Sequence, residues 1–310
     1  MPKQHSNFSV NPKVDPNFRS GFIAVIGRPN AGKSTLLNAL LGQKILIMSE
    51  KPQTTRNTIR CIVTEPGGQA VFLDTPGIHK PKDHLGAYML TSALRAIEAV
   101  DVVLWVTDIT SPWGPGDAYI AEALGSSSLP SLLALNKVDL LDKEETLVSH
   151  IETWSRRFPF KEIVPVSALQ VKNTRSLMDA LWKYLSPGPM YYPADDVTDQ
   201  PERFIAAEIV REKLFALTRE EIPYSVGVVV ERMEEKVSLI KIEASIFVER
   251  PSQKGIVIGK EGVLLKEVGQ QARLELEGVL GSKVLLKLWV KVRKDWRNRL
   301  DMLRELGYDG

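Results

Sequence analysis

Gly27-Arg28-Pro29-Asn30-Ala31-Gly32-Lys33-Ser34 sets two glycines, a lysine and a hydroxyl at the spacing G-x-x-x-x-G-K-[ST]. The chemistry that spacing suits is phosphate binding. Gly27 and Gly32 permit backbone angles and close approaches that a side chain would block. The N–H groups at the start of the following helix, which Thr35 continues, can face phosphate oxygens. Lys33 brings a point charge to the outer phosphates, and the Ser34 hydroxyl can ligate Mg²⁺. Asp74-Thr75-Pro76-Gly77 adds a carboxylate that can hold the same ion through a water, and a Gly77 N–H that can meet the terminal phosphate. Asn136-Lys137-Val138-Asp139 supplies a carboxylate able to accept from both N1–H and the 2-amino group of guanine. Adenine offers neither donor, so a buried carboxylate facing it would be left unpaired. Ser167-Ala168 would set a backbone N–H near the guanine 6-oxygen. A GTP or GDP site is the expectation.

A second constellation lies near the C-terminus. Gly255-Ile256-Val257-Ile258-Gly259-Lys260-Glu261-Gly262 ends in G-x-x-G and opens onto an amphipathic stretch. In a KH domain such a loop clamps about four nucleotides. Gly259 and Gly262 would let phosphates approach, Lys260 would add charge, and the apolar Ile256–Ile258 side would hold splayed bases. Lys283, Lys287, Lys291, Arg293, Lys294, Arg297 and Arg299 extend the basic run. Between residues 250 and 300 twelve bases face five acids, a net +7, whereas residues 201–249 carry −3. That asymmetry suits a polyanion partner. Trp296 is a candidate for base stacking, and core packing is the expected role of Trp289.

These residues need elements to position them. Apolar runs at 22–26, 71–73, 102–106, 132–135 and 163–166 alternate with helical candidates near 33–42, 88–98, 116–124, 142–157 and 173–185. The alternation indicates an α/β domain with a mostly parallel sheet, whose ligands sit beyond the strand ends. The phosphate loop, Asp74, Asn136 and Ser167 all fall at such ends. Ser186-Pro187-Gly188-Pro189 cannot continue a helix. Beyond it the pattern reads helix (204–217), strands near 226–230 and 239–249, a turn and helix (264–276), a strand (284–292) and a final helix from about 294, a small α+β domain. The expected division is a tail over 1–20, a nucleotide domain over 21–186, a linker over 187–201 and a KH domain of the bacterial type (type II) over 202–310.

Bulk properties agree. The chain has 310 residues, enough for two domains, and 44% hydrophobic content, ample for their cores. Its start is polar and Pro-punctuated, without the apolar core of a signal peptide, and no apolar run approaches the length of a membrane span. A single cysteine, Cys61, excludes an internal disulfide framework and points to the cytosol, with Cys61 itself a buried strand residue.

With these motifs in order, the chain resembles the Era family of bacterial GTPases, in the translation-factor class, from about 20 to 308. Residues 27–35, Gln53-Thr54-Thr55-Arg56, Asp74–Gly77 and Asn136–Asp139 carry the likeness. The resemblance implies slow GTP hydrolysis, a first switch loop at Gln53–Asn57 with Thr55 as the Mg²⁺ ligand, and binding to the 3′ end of small-subunit ribosomal RNA and the 30S subunit. It also implies a monomer that is cytoplasmic, with any membrane association peripheral at the inner face. Asn30 resembles an asparagine that binds K⁺ in related GTPases. Ile78 replaces the water-orienting glutamine of Ras-type proteins, and Pro29 sits where an inserted arginine passes in them, so no arginine finger in trans is expected. Catalytic weight falls on Lys33, Thr55 and Gly77. The alternative is a membrane-associated cell-cycle signalling GTPase whose KH-like domain docks protein.

Overall fold

The computed structural model describes residues 17–49, 51–125, 127–141 and 144–308. Residues 1–16 of the tail expected over 1–20 lie outside them. The first domain runs β1 (Arg19–Ile26), α1 (Lys33–Leu41), β2 (Ile59–Glu65), β3 (Gly68–Asp74), α2 (His84–Glu98), β4 (Val102–Asp108), α3 (Pro115–Leu124), β5 (Ser131–Asn136), α4 (Glu144–Arg157), β6 (Glu162–Pro165) and α5 (Thr174–Trp182). Arg19 and Ser20, expected in the tail, belong to β1: Arg19 pairs with Gly68 on β3. The sheet order is β2-β3-β1-β4-β5-β6. Only β2 runs antiparallel to its neighbour. Strand β2 is not among the apolar runs, because Arg60, Thr64 and Glu65 interrupt it, yet Cys61 is buried there opposite Phe72. The central strands are buried on both faces, between cores built on Leu36, Leu177 and Leu181 on one side and on Trp105, Ile120 and Trp154 on the other. That double burial is why they read as unbroken apolar runs.

Residues 187–201 follow the edge of this sheet: Ile62 N–H donates to Val197 O at 2.9 Å, and Gln69 Oε1 accepts from Tyr191 and Tyr192 N–H. The second domain then runs α6 (Glu202–Leu217), α7 (Ile222–Ser225), β7 (Gly227–Lys236), β8 (Leu239–Val248), α8 (Pro251–Ile258), α9 (Val263–Leu280), β9 (Lys283–Val292) and α10 (Leu300–Glu305). Its sheet is β7-β8-β9, with β8 and β9 parallel. Ile240, Ile242, Ile246, Val284 and Val290 on one face pack under α6 and α9. Two expectations change here. Residues 251–258 form a helix, started by Pro251 at its first turn, where only a turn was expected. The helix expected from about 294 is a single 3₁₀ turn (Trp296–Asn298) followed by the short α10.

Candidate nucleotide site and nucleic-acid interface

The phosphate loop is built by close approaches. Gly32 holds φ 91°, and a Cβ there would lie 2.2 Å from Asn136 Nδ2. A Cβ on Gly77 would lie 2.8 Å from Pro29 N. The Asp74–Gly77 segment thus packs backbone to backbone on the loop, and the Asn136 side chain packs directly on the Gly32 backbone. Asn136 ties them further: its Nδ2 donates to Ala31 O, and its Oδ1 accepts from Ala168 N–H, both at 2.9 Å. Of the Ser167-Ala168 N–H groups expected near the guanine oxygen, that of Ala168 donates to Asn136 and that of Ser167 to Lys172 O. Lys137 Nζ pairs with Asp108 at 2.6 Å, and Val138 N–H donates to Val166 O. Asp139 Oδ1 is buried without a hydrogen-bond partner among the described residues, a donor-seeking atom at the place expected to face the base.

At the other end of the loop, Ser34, Thr55 and Asp74 converge. Ser34 Oγ and Thr55 Oγ1 lie 2.9 Å apart and donate to Asp74 Oδ2 at 2.9 and 3.0 Å. Three oxygens from three segments meeting at one point fit a hard divalent cation such as Mg²⁺. Lys33 Nζ is buried and donates to Gly27 O and Arg28 O. Burial lowers its pKa to about 8 against the raising effect of Asp74. Burial likewise pushes Asp74 up to about 6, opposed by Lys33 and the two hydroxyls. Both groups are held in water-poor surroundings that an incoming ion and phosphate would relieve.

Other loop residues have structural partners. Arg28 turns away and pairs with buried Asp117 at the start of α3. Thr75 Oγ1 donates to Val25 O, and Pro76 is buried beside it. Ile78 is 1% exposed in the Trp105 core, its N–H donating to Gly27 O at 3.2 Å. Pro29, Asn30 (φ 64°), Lys33, Ser34, Thr35, Thr55 and Gly77 line one cleft, joined by Gln53.

Sequence reasoning missed where the switch loop goes next. Arg56, directly after Thr55, is 1% exposed and enters the second domain. Its guanidinium donates to Val226 O (2.7 Å), Pro223 O and Tyr224 O (both 3.2 Å), between the rings of Phe215 and Trp296. Around it, Lys51 Nζ donates to Thr218 O, Arg211 donates to Thr54 O, Lys44 pairs with Glu212, and Met48 N–H donates to Glu212. The helix α6 is therefore buried on both sides, toward its own sheet and toward the loop. A second junction joins α2, which follows Gly77, to the C-terminus. Leu85 and Met89 pack with Trp296, Met302, Leu303 and Tyr308, and Arg297 bridges Asp83 and Glu249.

In the second domain Gly259 (φ 76°), Glu261 (φ 53°) and Gly262 (φ 79°) make a left-handed turn between α8 and α9. A Cβ on Gly259 would meet Leu264 at 2.8 Å. Lys260 and Glu261 are exposed, and Gly255 lies within α8. Ile256 is half exposed, but Val257 is fully buried and Ile258 packs on the core, so of that apolar trio only Ile256 faces outward. Lys287 and Lys291 alternate onto the sheet face opposite the helices, where Lys291 pairs with Glu231 at 2.6 Å. Trp289 shares that face at 42% exposure, contrary to its expected core role, whereas Trp296 is buried and its indole N–H donates to Ser225 O.

Comparison with known proteins follows the same division. A family model described as a 50S ribosome-binding GTPase matches residues 22–137, and a KH-domain model matches 221–297. The chain is 51% identical to the GTPase Era of Heliobacterium modesticaldum over 94% of this chain and 97% of that one. To the GTPase Era of Staphylococcus haemolyticus it is 50% identical over the same shares. Two solved structures superpose with TM-score 0.92 at 41% identity, covering 94% of this chain and all of theirs. One is Era in complex with MgGDPNP and nucleotides 1506–1542 of 16S ribosomal RNA. The other is an Aquifex aeolicus Era variant bound to GDP·AlF4⁻.

Proposed function

The chain belongs to the Era family of GTPases, and on that footing we propose that it hydrolyses GTP to GDP and phosphate and couples the nucleotide to RNA binding in small-subunit assembly. One observation carries the coupling: Thr55 reaches the phosphate site while the adjacent Arg56 is locked into the second domain. A triphosphate that draws Thr55 toward its ion moves Arg56 with it. Asp139 selects guanine, Lys33 neutralises charge building on the outer phosphates, and the Gly77 N–H meets the terminal phosphate. Ser34, Thr55 and Asp74 are the residues that would hold Mg²⁺, which would offset the charge of the phosphates when bound. We assign Asn30, on the same cleft, to K⁺; exchanging K⁺ for Na⁺ should lower turnover.

The RNA is the 3′ end of 16S ribosomal RNA, held at 255–262 with the basic run from Lys283 onward. The ligand of the relative in complex with 16S nucleotides supports this assignment. The domain limits follow the same reading: nucleotide domain to 186, linker 187–201, KH domain from 202. No described helix is long and apolar enough to cross a membrane. We place the protein in the cytoplasm as a monomer that meets the inner membrane and the 30S subunit peripherally. The test pairs steady-state GTP turnover with RNA crosslinking. Turnover lost in Lys33→Ala, with crosslinks centred on 255–262, is the expected result. Turnover without RNA crosslinks, with protein partners retained, would replace the RNA reading by a protein-docking one.

A further inference from the structure

Ile78 is sealed in the core and cannot orient the hydrolytic water, so a polar group from elsewhere must do so. Gln53 lines the phosphate cleft beside Lys33, Ser34, Thr55 and Gly77. Its amide Nε2 lies 3.1 Å from His79 Nε2, and His79 Nδ1 lies 2.8 Å from Gly77 O. A carbonyl only accepts, so Nδ1 carries the ring proton and Nε2 accepts from the Gln53 amide. One neutral tautomer of His79 thus clasps the first switch loop to the backbone of the segment that meets the terminal phosphate. Gln53 also holds φ 62°, a left-handed value disfavoured for a residue with a Cβ, and such strain gathers at functional positions. Among the described residues nothing in the protein donates to its Oε1.

Resting on the GTP hydrolysis proposed above, we propose that Gln53 is the catalytic amide that orients the attacking water and that His79 is the positioning residue that holds it over Gly77. Gln53 Oε1 accepts a hydrogen bond from the water. The water oxygen bonds to the γ-phosphorus as the bond from phosphorus to the β–γ bridging oxygen breaks. GDP leaves with that electron pair, and the water's proton passes to the released phosphate. The amide stays neutral throughout, as the task of orientation requires.

The experiment is single-turnover hydrolysis by the full chain, with the affinity of a fluorescent GTP analogue measured in parallel. Gln53→Ala should lower kcat about 100-fold while analogue affinity and KM stay within about two-fold. His79→Ala should lower kcat less, and the double variant should be no slower than Gln53→Ala alone, because the two act as one unit. His79→Gln, whose amide can donate to Gly77 O and accept from Gln53, should restore most of the rate. Wild-type kcat in Gln53→Ala, or a loss confined to KM, overturns the catalytic role. Multiplying losses in the double variant, or no rescue by His79→Gln, overturn the clasp. A wild-type chain that binds the analogue without turning over GTP would instead overturn the hydrolytic reading itself.

Discussion

At the scale of single residues, the site is a set of side chains held at protonation equilibria that a ligand shifts. Lys33, lowered to about 8, regains a high pKa when phosphate faces it, so the bound state keeps a proton that the free state loses. Nucleotide affinity should therefore be flat below pH 8 and fall as pH rises through it, by up to about ten-fold per unit. Asp74, raised to about 6, must lose its proton to hold the cation. Mg²⁺ affinity should fall as pH drops through 6. Calorimetric titration of GDP and Mg²⁺ between pH 5 and 10 checks both limbs. Affinities independent of pH would show that neither group contacts the ligand. Asp139, with its orphaned Oδ1, is the residue proposed above to select the base. Asp139→Asn presents an N–H where the guanine 2-amino group would point, so GDP affinity should fall about 100-fold while xanthosine diphosphate gains. Unchanged preference would move base recognition elsewhere.

At the scale of elements, the sequence was most legible where chemistry and geometry coincide. Residues 27–34, 74–77 and 136–139 lie at strand ends because a parallel sheet puts its loops there; Pro29, Asn30, Gly32, Lys33, Ser34 and Gly77 line one cleft, and Asn136 is tied to it through Ala31 O. The parallel strands were legible because burial on both faces removes polar residues. Edge elements were harder. The strand β2, with Arg60 exposed and Cys61 buried, holds only the short apolar run Cys61-Ile62-Val63 between polar residues. The helix α8 is too short to repeat a helical period, and its glycine argued for a turn. Trp289 and Trp296 show the remaining difficulty. Both are large aromatics in a basic segment, but strand alternation turns Trp289 outward, and Trp296 is buried by α2, an element two hundred residues away. No local pattern encodes that contact. The same holds for Arg56, which reads as a polar loop residue until α7 supplies two carbonyls to it and Val226, just after that helix, a third.

At the scale of the whole molecule, both segments that follow the phosphate site are fastened to the second domain. The segment leading into and through the Gln53–Asn57 loop docks through Met48, Lys51 and Arg56, and α2 docks through Leu85 and Met89, with Asp83 just before it. Arg56 buries a charge whose three acceptors would be left unpaired on its removal, a loss of at least about 3 kcal/mol. That is enough to bias two arrangements of the domains by more than a hundred-fold. The nucleotide and the RNA then act on one equilibrium, and each must alter the affinity for the other. The direct test is the affinity of the full chain for a 16S 3′-end fragment with a non-hydrolysable GTP analogue against GDP, in wild type and in Arg56→Gln. The expected result is a difference of ten-fold or more between nucleotides in wild type, collapsing toward unity in the variant. Equal RNA affinity in both nucleotide states of the wild type would contradict the coupling.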